Sequence, residues 1–260
     1  MGDRAGSNPV IRTKFGQIMK VLILNSGLGS RMGVYTKEHP KCMTDVSKTD
    51  SILSRQLKIV AYCGVKDVVM TTGYYDKVLT EYCNSLGLDL NYEFVYNPVY
   101  DKTNYIYSIY CAKDKLYNQD VIMMHGDLVF AKSVFKRVLD SDRSVMTVST
   151  TLPLPEKDFK AVVCGDKILK VGVNFFDSAV SAQPLYKINA KDWNVWLDKI
   201  VEFCENDNRK CYAENAFNEV SDTCNIYTLD AKDELCAEID NPSDLEVVSK
   251  QVKEVEELEK

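Results

Sequence analysis

An α/β fold built on a central, mostly parallel mixed sheet is what this 260-residue sequence predicts. Three observations carry the prediction. Short apolar runs of strand type alternate with helical stretches as far as residue 124, which is the pattern of βαβ units with helices on both faces of a sheet. After residue 130 the alternation loosens into strand-like runs and a hairpin, so the sheet is expected to be mixed. A hydrophobic content of 45% over this length is enough to bury a full core.

The elements follow in order. Val21-Leu22-Ile23-Leu24 is a buried strand, and residues 51–62 carry Ile52, Leu53, Leu57, Ile59 and Val60 at helical spacing. Residues 67–72 read as a strand, 75–86 as a helix, 90–96 as a strand, 104–116 as a helix and 120–124 as a strand. Farther on, 145–149, 161–164 and 168–173 read as strands, with Gly165-Asp166 turning a hairpin between the last two. A helix over 190–205, an acidic segment around Glu214 and Glu219 and a short strand over 226–229 come next. Asn241-Pro242-Ser243-Asp244 then opens a charged terminal helix. No repeat or linker divides the chain, so 19–260 reads as a single domain. Residues 1–18, polar and ending just before Met19, read as a flexible N-terminal extension, an upstream start or a cloning remnant.

Composition narrows the function. A net charge of -6 and a pI near 5.1 leave no basic surplus for nucleic acid. No window approaches the roughly 18 apolar residues of a membrane span. The nine cysteines are odd in number and lack C-x-x-C spacing, which fits reduced thiols in a cytoplasmic protein. A monomer or homodimer is expected.

The most telling stretch is Asn25-Ser26-Gly27-Leu28-Gly29-Ser30-Arg31, directly after the first strand, followed by Pro40-Lys41. A strand that breaks into a Gly-rich turn points successive N–H groups at one place, which suits a phosphate. Arg31 and Lys41 add positive charge, so the stretch reads as a polyphosphate cradle. It is neither of two common ones. Gly33 comes one residue late for G-x-G-x-x-G, and the second strand ends Met70-Thr71-Thr72-Gly73 with no carboxylate for a ribose. No Gly-Lys-Ser/Thr follows, so it is not a Walker A loop.

Gly27-Leu28-Gly29-Ser30-Arg31-Met32 with Pro40-Lys41 resembles the signature of the nucleoside-triphosphate transferase superfamily. Asn104-Tyr105-Ile106-Tyr107-Ser108, His125-Gly126-Asp127 and Glu238-Ile239-Asp240 make the bacterial CTP:phosphocholine and aminoethylphosphonate cytidylyltransferases the branch it looks most like. The resemblance implies a Rossmann-like three-layer nucleotidyltransferase fold. It implies transfer of CMP from CTP to a small phosphorylated amino alcohol or phosphonate, with release of pyrophosphate and Mg²⁺ as cofactor. The chemistry suits such residues, because two anionic reactants must be held together and charge on the α-phosphoryl group stabilised. A sugar-1-phosphate nucleotidyltransferase and a non-catalytic nucleotide-binding homologue are the alternatives.

Under this resemblance Arg31 and Lys41 are catalytic, 25–31 hold the triphosphate, and Gly73, Asn104 and Ser108 lie along base and ribose. Asp127, which closes an apolar strand, and Asp240 hold the metal. Two positions admit a second reading: Asp240 as part of a helix-entry turn, and Asn104 as a helix cap. For the acceptor, Tyr212-Ala213-Glu214 resembles an aromatic-acidic pair for an amine head, with Ala213 where a tryptophan is expected. Tyr186 joins these as a candidate wall. Lys160 or Lys170 is placed against the acceptor's phosphate. Trp193 and Trp196, three apart on a helix, fit packing better than a cage. His125 is assigned no role.

Overall fold

The computed structural model describes residues 19–258; the proposed N-terminal extension lies outside the described residues. Strand β1 (Met19–Leu24) leads through two 3-10 turns into α1 (Ile52–Tyr62), followed by β2 (Asp67–Thr72), α2 (Asp76–Ser85), β3 (Asn91–Tyr96), α3 (Tyr105–Leu116) and β4 (Asp120–His125). Then come β5 (Leu128–Phe130), α4 (Lys132–Asp140), β6 (Val145–Ser149), the hairpin β7 (Lys160–Cys164) and β8 (Lys167–Gly172), and β9 (Ala179–Ile188). The chain continues as α5 (Ala190–Glu205), α6 (Ala213–Val220), β10 (Tyr227–Asp230), β11 (Cys236–Glu238) and α7 (Pro242–Leu258).

Period-two alternation in the strands produces the layers. Val21 and Ile23 of β1, Val68 and Met70 of β2, and Ile122 and Met124 of β4 face one core, shared with α1, α4 and α7. Leu22, Val69, Val121 and Met123 face the other, shared with α3, α5 and α6. Local chemistry sets the helix starts. Ser51 caps α1 by accepting from the Ser54 N–H at 3.0 Å, and Asn104 Oδ1 accepts from the Tyr105 N–H at the head of α3.

The sheet runs β3-β2-β1-β4-β9-β6-β10-β8-β7. Its first four strands are parallel, as the alternation predicts. The rest corrects the expectation of a mostly parallel sheet. Beyond β4 only β6–β10 is parallel, and β7 also pairs with β9, so that β9, β6, β10, β8 and β7 close into a five-stranded barrel. The sequence reading passes over β5, α4 and β9, and of these β9 joins the two halves. Pro184 in its middle reads as a strand breaker. A register shift between Met146 and Val148 of β6 accommodates it, and the Thr147 hydroxyl lies 3.0 and 3.3 Å from the Gln183 and Leu185 carbonyls there. The acidic segment around Glu214 is likewise helical, as α6.

The fold positions the site through strand ends. Leu24 and His125, at the ends of β1 and β4, are direct partners. β5 and β11 pair antiparallel, with Glu238 opposite Leu128, and the Ile239 N–H donates to the Asp127 carbonyl at 3.0 Å. Asp127 and Asp240 are thereby brought to one place from 113 residues apart, by the difference of their numbers.

Both tryptophans are packing residues, as their spacing predicts. Each is fully buried; Trp193 Nε1 donates to the Leu116 carbonyl and Trp196 Nε1 to that of Ala213. Trp196→Ala is expected to cost about 3–5 kcal/mol in a denaturant titration, the range for emptying a large aromatic site. A loss below about 1 kcal/mol would show that Trp196 does not hold α5 to α6.

Candidate active site

The Gly-rich turn wraps a cavity of about 320 Å³ beyond the end of β1, lined by Asn25, 27–31, Pro40, Lys41, Gly126, Asp127 and Asp240. Two glycines are sterically required. Gly29 has φ +62°, and a Cβ there would lie 2.8 Å from Lys41 Cβ. A Cβ on Gly126 would collide with Asn25 Oδ1 and the Leu24 carbonyl. The cradle and the lysine behind it fit only without these side chains.

Lys41 is the hinge of the electrostatics. Its ammonium pairs with Asp127 Oδ2 and lies 3.0 Å from Asp240 Oδ1, while Arg31 Nη2 lies 2.8 Å from the same Asp240 oxygen. Burial opposes the charge on Lys41, but the two carboxylates outweigh it and raise its pKa above the ordinary value. Burial likewise works against the Asp127 carboxylate, yet Lys41 and His125 hold its pKa below the usual range. Arg31 is 68% exposed, so it is free to follow a ligand.

Asp240 is not part of the helix-entry turn in its side chain. Asn241 and Asp244 supply those caps, Asp244 Oδ2 accepting from the Asp240 and Asn241 N–H groups and Asn241 Oδ1 from those of Ser243 and Asp244. Its carboxylate enters the cleft instead. A divalent cation fits this place: Asp127 Oδ1 is buried with no hydrogen-bond partner, and the carboxylates beside a phosphate cradle form an all-oxygen donor set.

A second cavity, about 180 Å³, adjoins the first at Gly27 and Asp127 and is lined by Ser26, Asn97, Tyr100, Thr103, Asn104, Tyr105, Ser108 and His125. Its floor is a polar network. Ser108 Oγ lies 2.5 Å from Ser26 Oγ and accepts from Asn97 Nδ2 at 3.0 Å. Gly73 packs so tightly on the Ser26 carbonyl and the Tyr100 ring that a Cβ has no room. Asn104 satisfies both sequence readings, capping α3 and lining the cavity.

A third cavity shares Asn104, Tyr105, His125 and Asp127 with the second and is lined also by Lys157, Asp158, Phe159, Tyr212 and Glu238. Four rings close a circuit in its wall: Tyr105 to His125 at 4.8 Å, His125 to Phe159 at 6.2 Å, Phe159 to Tyr212 at 5.1 Å and Tyr212 to Tyr105 at 5.9 Å. Behind Tyr105 lies Glu214, 1% exposed, accepting from the Tyr105 hydroxyl and from that of Tyr186 at 2.8 Å. Burial and then the Glu214 charge raise both phenols, which stay neutral donors.

Of the residues expected to meet the acceptor, Tyr212 lines this cavity, whereas Tyr186 and Glu214 are placed behind its wall. The expectation for Lys160 is corrected. Its side chain is buried and its ammonium donates to the Pro155 and Asp158 carbonyls at 2.5 and 3.2 Å, so Lys157 is the lysine that lines the cavity. His125 and Glu238 are the main residues that sequence reasoning passed over. His125 Nδ1 lies 3.0 Å from Glu238 Oε1. Burial opposes the imidazolium, but Glu238, Asp127 and Glu214 lift His125 to about 9; burial pushes Glu238 up to about 7 against the His125 hydrogen bond. Their signal was positional, each standing two residues before a cleft aspartate.

Known proteins share this architecture and part of this sequence. The chain is 29% identical over 135 residues, half of its own length, to the CTP:phosphoglutamine cytidylyltransferase of Campylobacter jejuni. It is 32% identical over 120 residues, 46% of its length, to the CMP-5'-(3-aminopropyl)phosphonate synthase of Streptomyces rubellomurinus. The matches span 52% and 19% of those two proteins. In structure it matches the CTP:phosphocholine cytidylyltransferase of Streptococcus pneumoniae with a TM-score of 0.75 at 19% identity, over 90% of this chain and 99% of the other. Residues 21–152, just over half of the sequence, match the family described as the MobA-like NTP transferase domain. They contain the cradle, Lys41, the Asn97–Ser108 network and Asp127, and the chain belongs to that family.

Proposed function

We propose that this protein is a cytidylyltransferase that moves CMP from CTP to a small phosphate or phosphonate with a nitrogen-bearing head, releasing pyrophosphate. The observation that carries the reading is the meeting of Lys41, Arg31, Asp127 and Asp240 at the phosphate cradle, where it opens onto a ring-lined second chamber. The Campylobacter relative is named for CTP and phosphoglutamine, and the Streptomyces relative for a CMP-linked aminopropylphosphonate.

In this reading the triphosphate lies on the backbone N–H groups of 27–31, with the base in the Asn97–Ser108 chamber. A phosphate or phosphonate oxygen of the acceptor attacks the α-phosphorus, its new O–P bond forming as the bond to the pyrophosphate oxygen breaks. Lys41 holds positive charge at the reacting centre, and the exposed Arg31 closes over the triphosphate, so the work is positioning and charge stabilisation. Asp127 and Asp240 would hold a Mg²⁺ ion, which supplies Lewis-acid stabilisation of the phosphoryl oxygens and leaving group when bound. Tyr105, Phe159 and Tyr212 would supply the aromatic wall for the acceptor's head, with Asp158 and Glu238 in the same cavity.

Pyrophosphate release tests the proposal directly, with each NTP offered against phosphocholine, phosphoethanolamine, 2-aminoethylphosphonate and glucose-1-phosphate, with and without Mg²⁺. Release is expected with CTP and an amine-bearing acceptor; silence for every pair would overturn the reading. Asp127→Asn keeps the shape of the side chain and is expected to lower kcat on the order of 10²–10³-fold, with a cooperative thermal transition retained at a lower midpoint. Full activity in that variant would remove Asp127 from the centre. Tyr212→Ala is expected to raise the acceptor KM about 5–30-fold, the equivalent of losing one cation–π wall, and to leave the CTP KM unchanged. Equal changes in both KM values would place Tyr212 outside the acceptor chamber.

A further inference from the structure

Lys160, at the start of β7, is a fully buried cation that no step of the proposed reaction uses. Both hydrogen bonds of its ammonium go to backbone carbonyls, those of Pro155 at 2.5 Å and Asp158 at 3.2 Å. The centre of the Phe176 ring lies 4.3 Å from the same nitrogen. Taking an ammonium out of water is costly, and two carbonyls and a ring offset that cost less fully than a carboxylate would.

The carbonyls show what the charge holds. Residues 150–159 form neither helix nor strand, and Pro153 and Pro155 have no N–H to give to a ladder. The segment is fastened at its end, where the Phe159 carbonyl accepts from the Ala182 N–H of β9 at 3.1 Å. Ahead of that point the ammonium bridges Pro155 to Asp158. Phe176 belongs to 173–178, the irregular connection between β8 and β9. Lys160 therefore ties two irregular segments together. Both line the third cavity, through Lys157, Asp158 and Phe159 on one side and Val173 on the other. Lys187 makes the contrast. It too is buried and donates to two carbonyls, but these are Leu139 and Ser141 at the C-terminal end of α4, a common place for a cation. The carbonyls on Lys160 end no helix.

We infer that Lys160 is the positioning residue of the acceptor chamber: it clips 155–158 to 173–178 and so sets where Asp158 and Phe159 stand against the acceptor's head. The inference rests on the cytidylyltransferase reading, which makes the third cavity the acceptor's. Lys160 does not line that cavity and acts from behind its wall. A neutral side chain of similar length would leave both carbonyls without their donor and let the turn relax. A displacement of about 1 Å is enough to change how a substrate is held.

Lys160→Met keeps the stem and removes the donors. It is expected to raise the acceptor KM about 10–100-fold and to change the CTP KM less than about twofold, since the cradle and base chamber share no residue with the clip. Phe176 is 53% exposed and lines none of the three cavities. Phe176→Ala is expected to raise the acceptor KM about 2–5-fold, and it decides the matter if Lys160→Met does not fold. In the ligand-free protein, ¹⁵N labelling of lysine should show the Lys160 ammonium as a slowly exchanging signal that moves in Phe176→Ala. An unchanged acceptor KM in both variants, equal rises in both KM values, or no protected Lys160 signal would each overturn the inference. A wild type that releases no pyrophosphate with any pair would sink the transferase reading and this inference with it, whereas a protected ammonium with unchanged acceptor KM sinks the clip alone.

Discussion

One ammonium group organises this cleft. Lys41 pairs with Asp127, at the end of the β4 segment, and with Asp240, just past β11, and its own backbone is packed on Gly29 of the cradle. Three distant segments therefore meet at a single side chain. Removing one partner of such a partly buried network leaves charge uncompensated, which costs more than the pair itself contributes. The exposed Arg31 contact to Asp240 is different in kind, since a solvated ion pair adds little to stability. The same charges that tie the strand ends together are those a triphosphate and its cation would engage.

The two halves of the sheet divide the work. The parallel strands β1 to β4 end at the Gly-rich cradle and the polar second cavity, where ligand sites of α/β sheets lie, at the carboxyl ends of strands. The barrel half brings Lys157, Asp158 and Phe159, just before β7, to the third cavity, and Tyr212 comes from the head of α6. His125 stands between the chambers and touches rings of both sides.

Much of this was legible in the sequence, for physical reasons. Strands buried on both faces read as apolar runs, and α5 was readable from end to end because its apolar stripe is regular. The cradle was legible because glycine positions and following cations have few other uses at a strand end. β9 was not, because Pro184 hides a central strand whose bulge is visible only in three dimensions. The roles of Lys160 and Glu214 were also out of reach. Each is polar and buried, one satisfied by backbone carbonyls and the other by two phenols from distant elements, and sequence carries no sign of such partners. His125 and Glu238 were within reach but masked by the aspartates beside them.

The central claim, that two carboxylates clamp one ammonium at the cradle, is tested most directly by the titration of Lys41 itself. Carbon-13 labelling of lysine and assignment of the Lys41 Cε signal would give its pKa in the ligand-free protein. The account places it above the ordinary 10.5 and requires it to fall in Asp127→Asn, where the nearer carboxylate is gone. A pKa at or below 10.5, or one indifferent to that substitution, would contradict it.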